Sequence, residues 1–168
     1  REAPLESFSV EQSASIQWAK DVRDQASPET SELHQEFQQE ILPHVEWIKS
    51  TGGFKPTGIA TGADEGVAIA SKAKSLGYGA VGFAPFDRRY IYSSRRKHVR
   101  GDLPNAICLA MEQDYRETQT IPSIEAERAQ GEAYKIQAEK SKELVDFILS
   151  IGYSAQVSGP TWHFGPVI

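Results

Sequence analysis

The sequence predicts an α+β domain, a layered sheet with flanking helices, preceded by a helical arm. Three observations predict it. Two short apolar runs, the uncharged Ala80-Val-Gly-Phe-Ala84 and a second over residues 105 to 112, read as strands. The helical stretches that precede strands end on glycine, at Gly77 and Gly152. The resulting order, helix–strand, strand, helix–strand, belongs to a layered domain rather than a helix bundle. A chain of 168 residues with 39% apolar residues suits one such domain with a modest core. The expected division is an arm and linker over residues 1–62 and the domain over residues 63–168.

Each element follows from its spacing. Over residues 9 to 26, Val10, Ala14, Ile16, Trp18, Ala19 and Val22 recur with a roughly helical period, and Ser27-Pro28 closes this first helix. A second helix starts at Pro28, which suits a first turn, and carries Leu33, Phe37, Ile41, Val45 and Ile48 at spacings of three or four. Pro43 is expected to kink it, because proline removes an internal hydrogen bond. Gly52-Gly53 ends it, and the Gly-, Pro- and Thr-rich stretch from Phe54 to Gly62 reads as a linker. From Asp64 to Leu76, Val67, Ile69, Ala70, Ala73 and Leu76 define a closely packed helix stopped by Gly77. Residues 78 to 84 then read as a strand buried inside a sheet, since it has no charge and is bounded by Pro85. A long helix from about Ser123 to Ile151 has Ala133, Ile136, Leu144, Phe147, Ile148 and Ile151 as its expected buried positions. Gly152 caps it, and residues 153 to 158 form the expected third strand. The similarity of Ser75-Leu-Gly-Tyr-Gly-Ala-Val to Ser150-Ile-Gly-Tyr-Ser-Ala-Gln reflects the shared physics of a helix stopping on glycine and entering a strand.

Composition excludes several function classes. A net charge of -5 argues against bulk electrostatic binding to nucleic acid or an anionic membrane. No run of about 18 apolar residues offers a membrane-spanning helix. The single Cys108 allows no internal disulfide, and one thiolate cannot hold a zinc ion or an iron–sulfur cluster. The chain begins at Arg1 rather than Met and stops at Gly165-Pro-Val-Ile168 without a helix end or polar tail. Both termini are therefore expected to be cut, with a cytoplasmic location, or a periplasmic one if a signal peptide was removed.

Three groups of residues could carry chemistry. The stretch Arg88, Arg89, Arg95, Arg96, Lys97, His98 and Arg100, interleaved with Tyr90 and Tyr92, could clamp phosphate or the anionic tail of a cofactor. Asp87 and Asp102 at its ends, and the lack of a groove-reading motif, favour a solvated loop between strands. Tyr134, on the long helix just after Gly131, could act as a general acid if a cation lowered its pKa. Lys135 is adjacent but projects to another face, and a tyrosine on an amphipathic helix is ordinarily a core residue with its hydroxyl at the surface. His163, between Trp162 and Phe164, could ligate a metal or stack on a planar cofactor, or these aromatics could simply cover the core. His34 and His44, ten residues apart, share no ligand face.

Taken in order, the segment from Gly77 to Ser93, Ala110-Met-Glu-Gln-Asp-Tyr115, Thr120-Ile-Pro-Ser123 and the segment from Ser150 to Gly159 resemble the catalytic subunit of reductive dehalogenases. The likeness spans roughly residues 64 to 160. It implies a partial nitroreductase-like domain that binds cobalamin, a corrinoid, and acts on an organohalide by reductive removal of halide. In complete members two 4Fe-4S clusters follow in a downstream segment, which would lie beyond Ile168, so this portion alone is expected to be inactive without that segment or a redox partner. The resemblance assigns Tyr134 as the proton donor that replaces the departing halide. It also exposes a departure: Pro160 stands where the family usually has the Asn that helps line the substrate pocket. A degenerate, non-catalytic corrinoid-type domain and an epoxyqueuosine reductase-like enzyme acting on tRNA are the alternatives.

Overall fold

The computed structural model describes residues 28–50, 54–60, 62, 64–91, 99–121 and 123–157. The helix expected over residues 9 to 26 lies outside them, as do Arg95, Arg96, Lys97, His98, Pro160, Trp162, His163 and Phe164. In chain order the elements are α1 (Pro28–Ser50), α2 (Glu65–Ser75), β1 (Ala80–Pro85), a 3-10 turn (Arg88–Tyr90), β2 (Asn105–Ala110), the single turn α3 (Tyr115–Thr118) and α4 (Ile124–Ser150). The mixed α+β class is as the sequence predicts.

Local chemistry accounts for the boundaries. α2 starts after Asp64 and ends at Leu76, and Gly77 follows with φ +91°, the left-handed turn that redirects the chain into β1. α4 starts at Ser123, whose Oγ accepts a hydrogen bond from the Ala126 amide at 3.1 Å, and Glu125 and Glu127 complement the first-turn dipole. It ends at Ile151 and turns through Gly152, φ +92°. α1 continues through Pro43 with helical backbone on both sides. Of its expected apolar stripe, Leu33, Phe37 and Ile41 are half-buried; the side chains of Val45 and Ile48 lie outside those described.

β1 and β2 pair antiparallel, from Ala80 opposite Ala110 to Pro85 opposite Asn105. Alternation puts Val81, Phe83, Ile107 and Leu109 on one face, and of these Val81, Ile107 and Leu109 pack on the core of Ile69, Ala73, Tyr78, Leu144 and Ile148. A second cluster, Phe54, Val145 and Leu149, with Trp47 against it, sits where the 54–60 segment crosses the end of α4. There the Thr57 and Gly58 amides both donate to the Leu149 carbonyl, at 2.9 and 3.0 Å.

Four expectations are corrected. β1 is not buried inside a sheet: only Val81 is half-buried, the rest of the strand is exposed, and Phe83 retains 50% of its surface. An uncharged run permits burial on two faces, but only one face of this ribbon meets a second layer among the described residues. β2 stops at Ala110 rather than residue 112, because pairing ends where the Gly79 amide reaches the Ala110 carbonyl. Residues 153–157 form no strand; they are held instead by Ala155 and Val157 packing on the two clusters and by Gln156. Within α4, Leu144 and Ile148 are buried as expected, Ala133, Phe147 and Ile151 are half-buried, and Ile136 is 38% exposed.

Candidate functional site

Tyr134 lies in the first half of α4, three residues past Gly131, and is half-buried. Its hydroxyl oxygen accepts a hydrogen bond from Gln130 Nε2, one turn earlier, at 3.3 Å. An acceptor role in that bond leaves the phenolic proton free to be donated elsewhere. Lys135 turns away, as its position predicts, and pairs with Glu40 of α1 at 3.0 Å; that carboxylate holds the ammonium above its ordinary pKa. The cation next to Tyr134 in sequence is thus committed to α1. On the other side of Gly131, the Phe37 ring occupies the space that a side chain at this position would fill.

Among the described side chains the buried phenol is a different residue. Tyr78, directly after the Gly77 turn, is 3% exposed, and its hydroxyl lies 3.0 Å from Ser141 Oγ and 3.5 Å from the Gln137 carbonyl. Burial pushes its pKa up, and the hydrogen bond with Ser141 partly opposes this. Ser141 is seven residues beyond Tyr134, about two helical turns or ~10 Å along one face of α4. Tyr134 and the Tyr78–Ser141 pair therefore share a face of the helix without meeting. The sequence signal for Tyr78 was an aromatic bearing a hydroxyl inside an otherwise uncharged run, which asks for a buried partner.

The described arginines of the basic stretch are tied down. Arg89 Nη2 reaches Asp87 at 2.6 Å, and the same carboxylate caps the 3-10 turn through the Arg89 amide. Arg100 pairs with Asp102, donates from Nη1 to the Phe54 carbonyl at 2.9 Å, and its amide donates to Gln156 Oε1 at 2.9 Å. Arg88 donates to the Arg100 carbonyl at 3.4 Å. Arg100 thus joins the 54–60 segment, the inter-strand loop and the chain after α4, a structural role for a residue first weighed as an anion clamp.

His44 is half-buried on α1, whereas the His34 side chain is outside those described. Cys108 is exposed on β2. Among the described residues no three His, Cys, Asp or Glu side chains group so as to hold a metal ion, and no helix is long and apolar enough to cross a membrane. Comparison with known proteins finds no matching family model, no matching curated protein and no matching solved structure.

Proposed function

We propose that this chain is a nitroreductase-like corrinoid-domain portion of a reductive dehalogenase, acting on an organohalide, with Tyr134 as its proton donor. The observation that carries the reading is the Gln130–Tyr134 hydrogen bond. The amide donates to the phenol oxygen, so it would stabilise the negative charge left there once the proton is given up, and a rigid helix holds both groups. The four sequence blocks behind the resemblance are distributed over the domain, with the third and fourth at opposite ends of α4. The first supplies Tyr78 and β1; the second follows β2; the third ends at the Ser123 cap of α4; and the fourth begins where α4 closes on the core.

The described residues fit the proton-delivery part of this chemistry. A bound corrinoid would supply low-valent cobalt as the electron donor or nucleophile toward the carbon–halogen bond. The chain's own contribution is a proton held at the Tyr134 hydroxyl and an oxygen oriented by Gln130. Mixing the purified chain with cobalamin is expected to change the visible spectrum and to retain the cofactor through gel filtration. No spectral change and no retention would refute corrinoid binding. In the enzyme joined to its electron-donating module, Tyr134→Phe is expected to abolish dehalogenation with cobalamin still bound; near-normal turnover would return Tyr134 to a packing role.

A second reading, a non-catalytic corrinoid-type domain, is favoured by one observation. Lys135, the cation beside the phenol in sequence, is engaged by Glu40 of α1 instead. Cobalamin binding without any Tyr134-dependent turnover distinguishes it.

A further inference from the structure

Lys140 of α4 points its ammonium at sulfur. Its Nζ donates to Sδ of Met111, the residue directly after β2, at 3.9 Å. Gly77 leaves room for this, since a Cβ there would come within 2.8 Å of the same Nζ. The carboxylates next along α4 are engaged elsewhere: Glu143 pairs with Lys72 at 3.8 Å and Asp146 with Lys142 at 2.9 Å. Among the described residues no carboxylate pairs with Lys140. A thioether is a weak acceptor, so an ammonium with three donor protons faces a partner that uses little of that capacity. Met111 is the sole methionine of the chain, and it is half-buried against the main core, so part of its surface is open to a small oxidant.

We propose that Met111 is a modification site for hydrogen peroxide and that Lys140 receives the oxygen it gains. A sulfur lone pair attacks one peroxide oxygen, the O–O bond breaks, and the departing hydroxide takes the proton of the transferred oxygen and leaves as water. Sulfur loses two electrons and peroxide gains them, giving the sulfoxide. With an S–O bond of ~1.5 Å and an S–O···N angle of about 120°, the 3.9 Å separation puts the new oxygen about 2.9 Å from Nζ, the length of a charge-assisted hydrogen bond. A sulfoxide ordinarily disrupts an apolar core by bringing a polar group into it. Here that group meets a cation already in place, so the oxidised chain keeps its fold. Tyr134 plays no part in this step.

Hydrogen peroxide treatment of the folded 168-residue chain tests it, with Cys108→Ser as the common background to remove the exposed thiol. Mass spectrometry is expected to find a single added oxygen on the Met111 peptide. Oxidation should lower the thermal midpoint of Lys140→Leu by at least about 3 °C more than that of the parent, with Lys140→Arg matching the parent. In the oxidised parent, acetylation of Lys140 by an activated ester should slow about two- to fivefold, because the sulfoxide holds the amine. That readout needs no substitution at Lys140 and so decides even where Lys140→Leu does not fold. An unmodified Met111 in the folded chain, equal falls in midpoint with and without Lys140, or unchanged acetylation would each overturn the proposal.

Discussion

Gly77 and Gly152 form a matched pair in which backbone strain can be separated from crowding. Both follow a helix, and their φ angles are +91° and +92°. Alanine at either site carries the same left-handed cost, about 1–2 kcal/mol. Their neighbours differ. A Cβ on Gly77 would meet Lys140 Nζ at 2.8 Å and Cε at 3.9 Å, the far end of a flexible side chain that can move aside. A Cβ on Gly152 would stand 2.0 Å from the Ala60 amide nitrogen and 2.4 Å from the Ile59 carbonyl carbon. Those are backbone atoms of a segment anchored by the Thr57 and Gly58 amides on the Leu149 carbonyl. Relief requires the segment to shift, adding about 1–3 kcal/mol of overpacking and straining two hydrogen bonds worth ~1 kcal/mol each. The expected losses are then about 1–2 kcal/mol for Gly77→Ala and about 3–5 kcal/mol for Gly152→Ala. Urea unfolding followed by circular dichroism measures both, and thermal midpoints should fall by about 2–4 °C per kcal/mol. Equal losses in the two variants would refute the reasoning, since only the crowding distinguishes them.

Two further predictions concern the tied polar groups. Because burial raises the Tyr78 pKa, the folded state holds the phenolic proton more tightly than the unfolded chain. Its contribution is therefore present below about pH 10, the ordinary tyrosine value, and is lost as pH rises through the folded value. Unfolding midpoints between about pH 8 and 11 should show this alkaline decline, and Tyr78→Phe should remove it; an unchanged pH profile in that variant would count against the burial argument. Arg100→Ala is expected to cost about 1–3 kcal/mol in urea unfolding, through loss of the charged bond to the Phe54 carbonyl. Arg89→Ala, whose side chain is 84% exposed and bonds two residues back to Asp87, should stay within about 0.5 kcal/mol of wild type; similar losses in both would undo the distinction between them.

The elements legible in the sequence are those whose signals are local. Ser123, Gly77 and Gly152 mark helix ends through backbone geometry that a few neighbouring residues set, and α2 and α4 fall within a residue or two of expectation. The turn α3 was equally local, since Asp114 accepts from the Glu117 amide at 2.9 Å, but a single turn has too little apolar period to stand out. The candidate site was legible only as residue types. Tyr134 could be named, yet its Gln130 partner and the engagement of Lys135 by Glu40 depend on how α1 lies along α4.

By itself the sequence determined the mixed α+β class, the boundaries of α2 and α4, and the Leu144 and Ile148 part of the α4 face that meets the core, because propensity, capping and periodicity act over a few residues. Tertiary structure alone decided that β1 is a largely exposed strand of a two-stranded ribbon, that residues 153–157 pair with no strand, that Tyr78 rather than Tyr134 is the buried phenol, and that Arg100 is a fastener. Each of these turns on which surface covers which across some 40 to 60 residues of chain, as in the Tyr78–Ser141 bond 63 residues apart and the Arg100–Phe54 bond 46 apart. No local pattern carries that, because burial is a property of two surfaces and a sequence window contains only one of them.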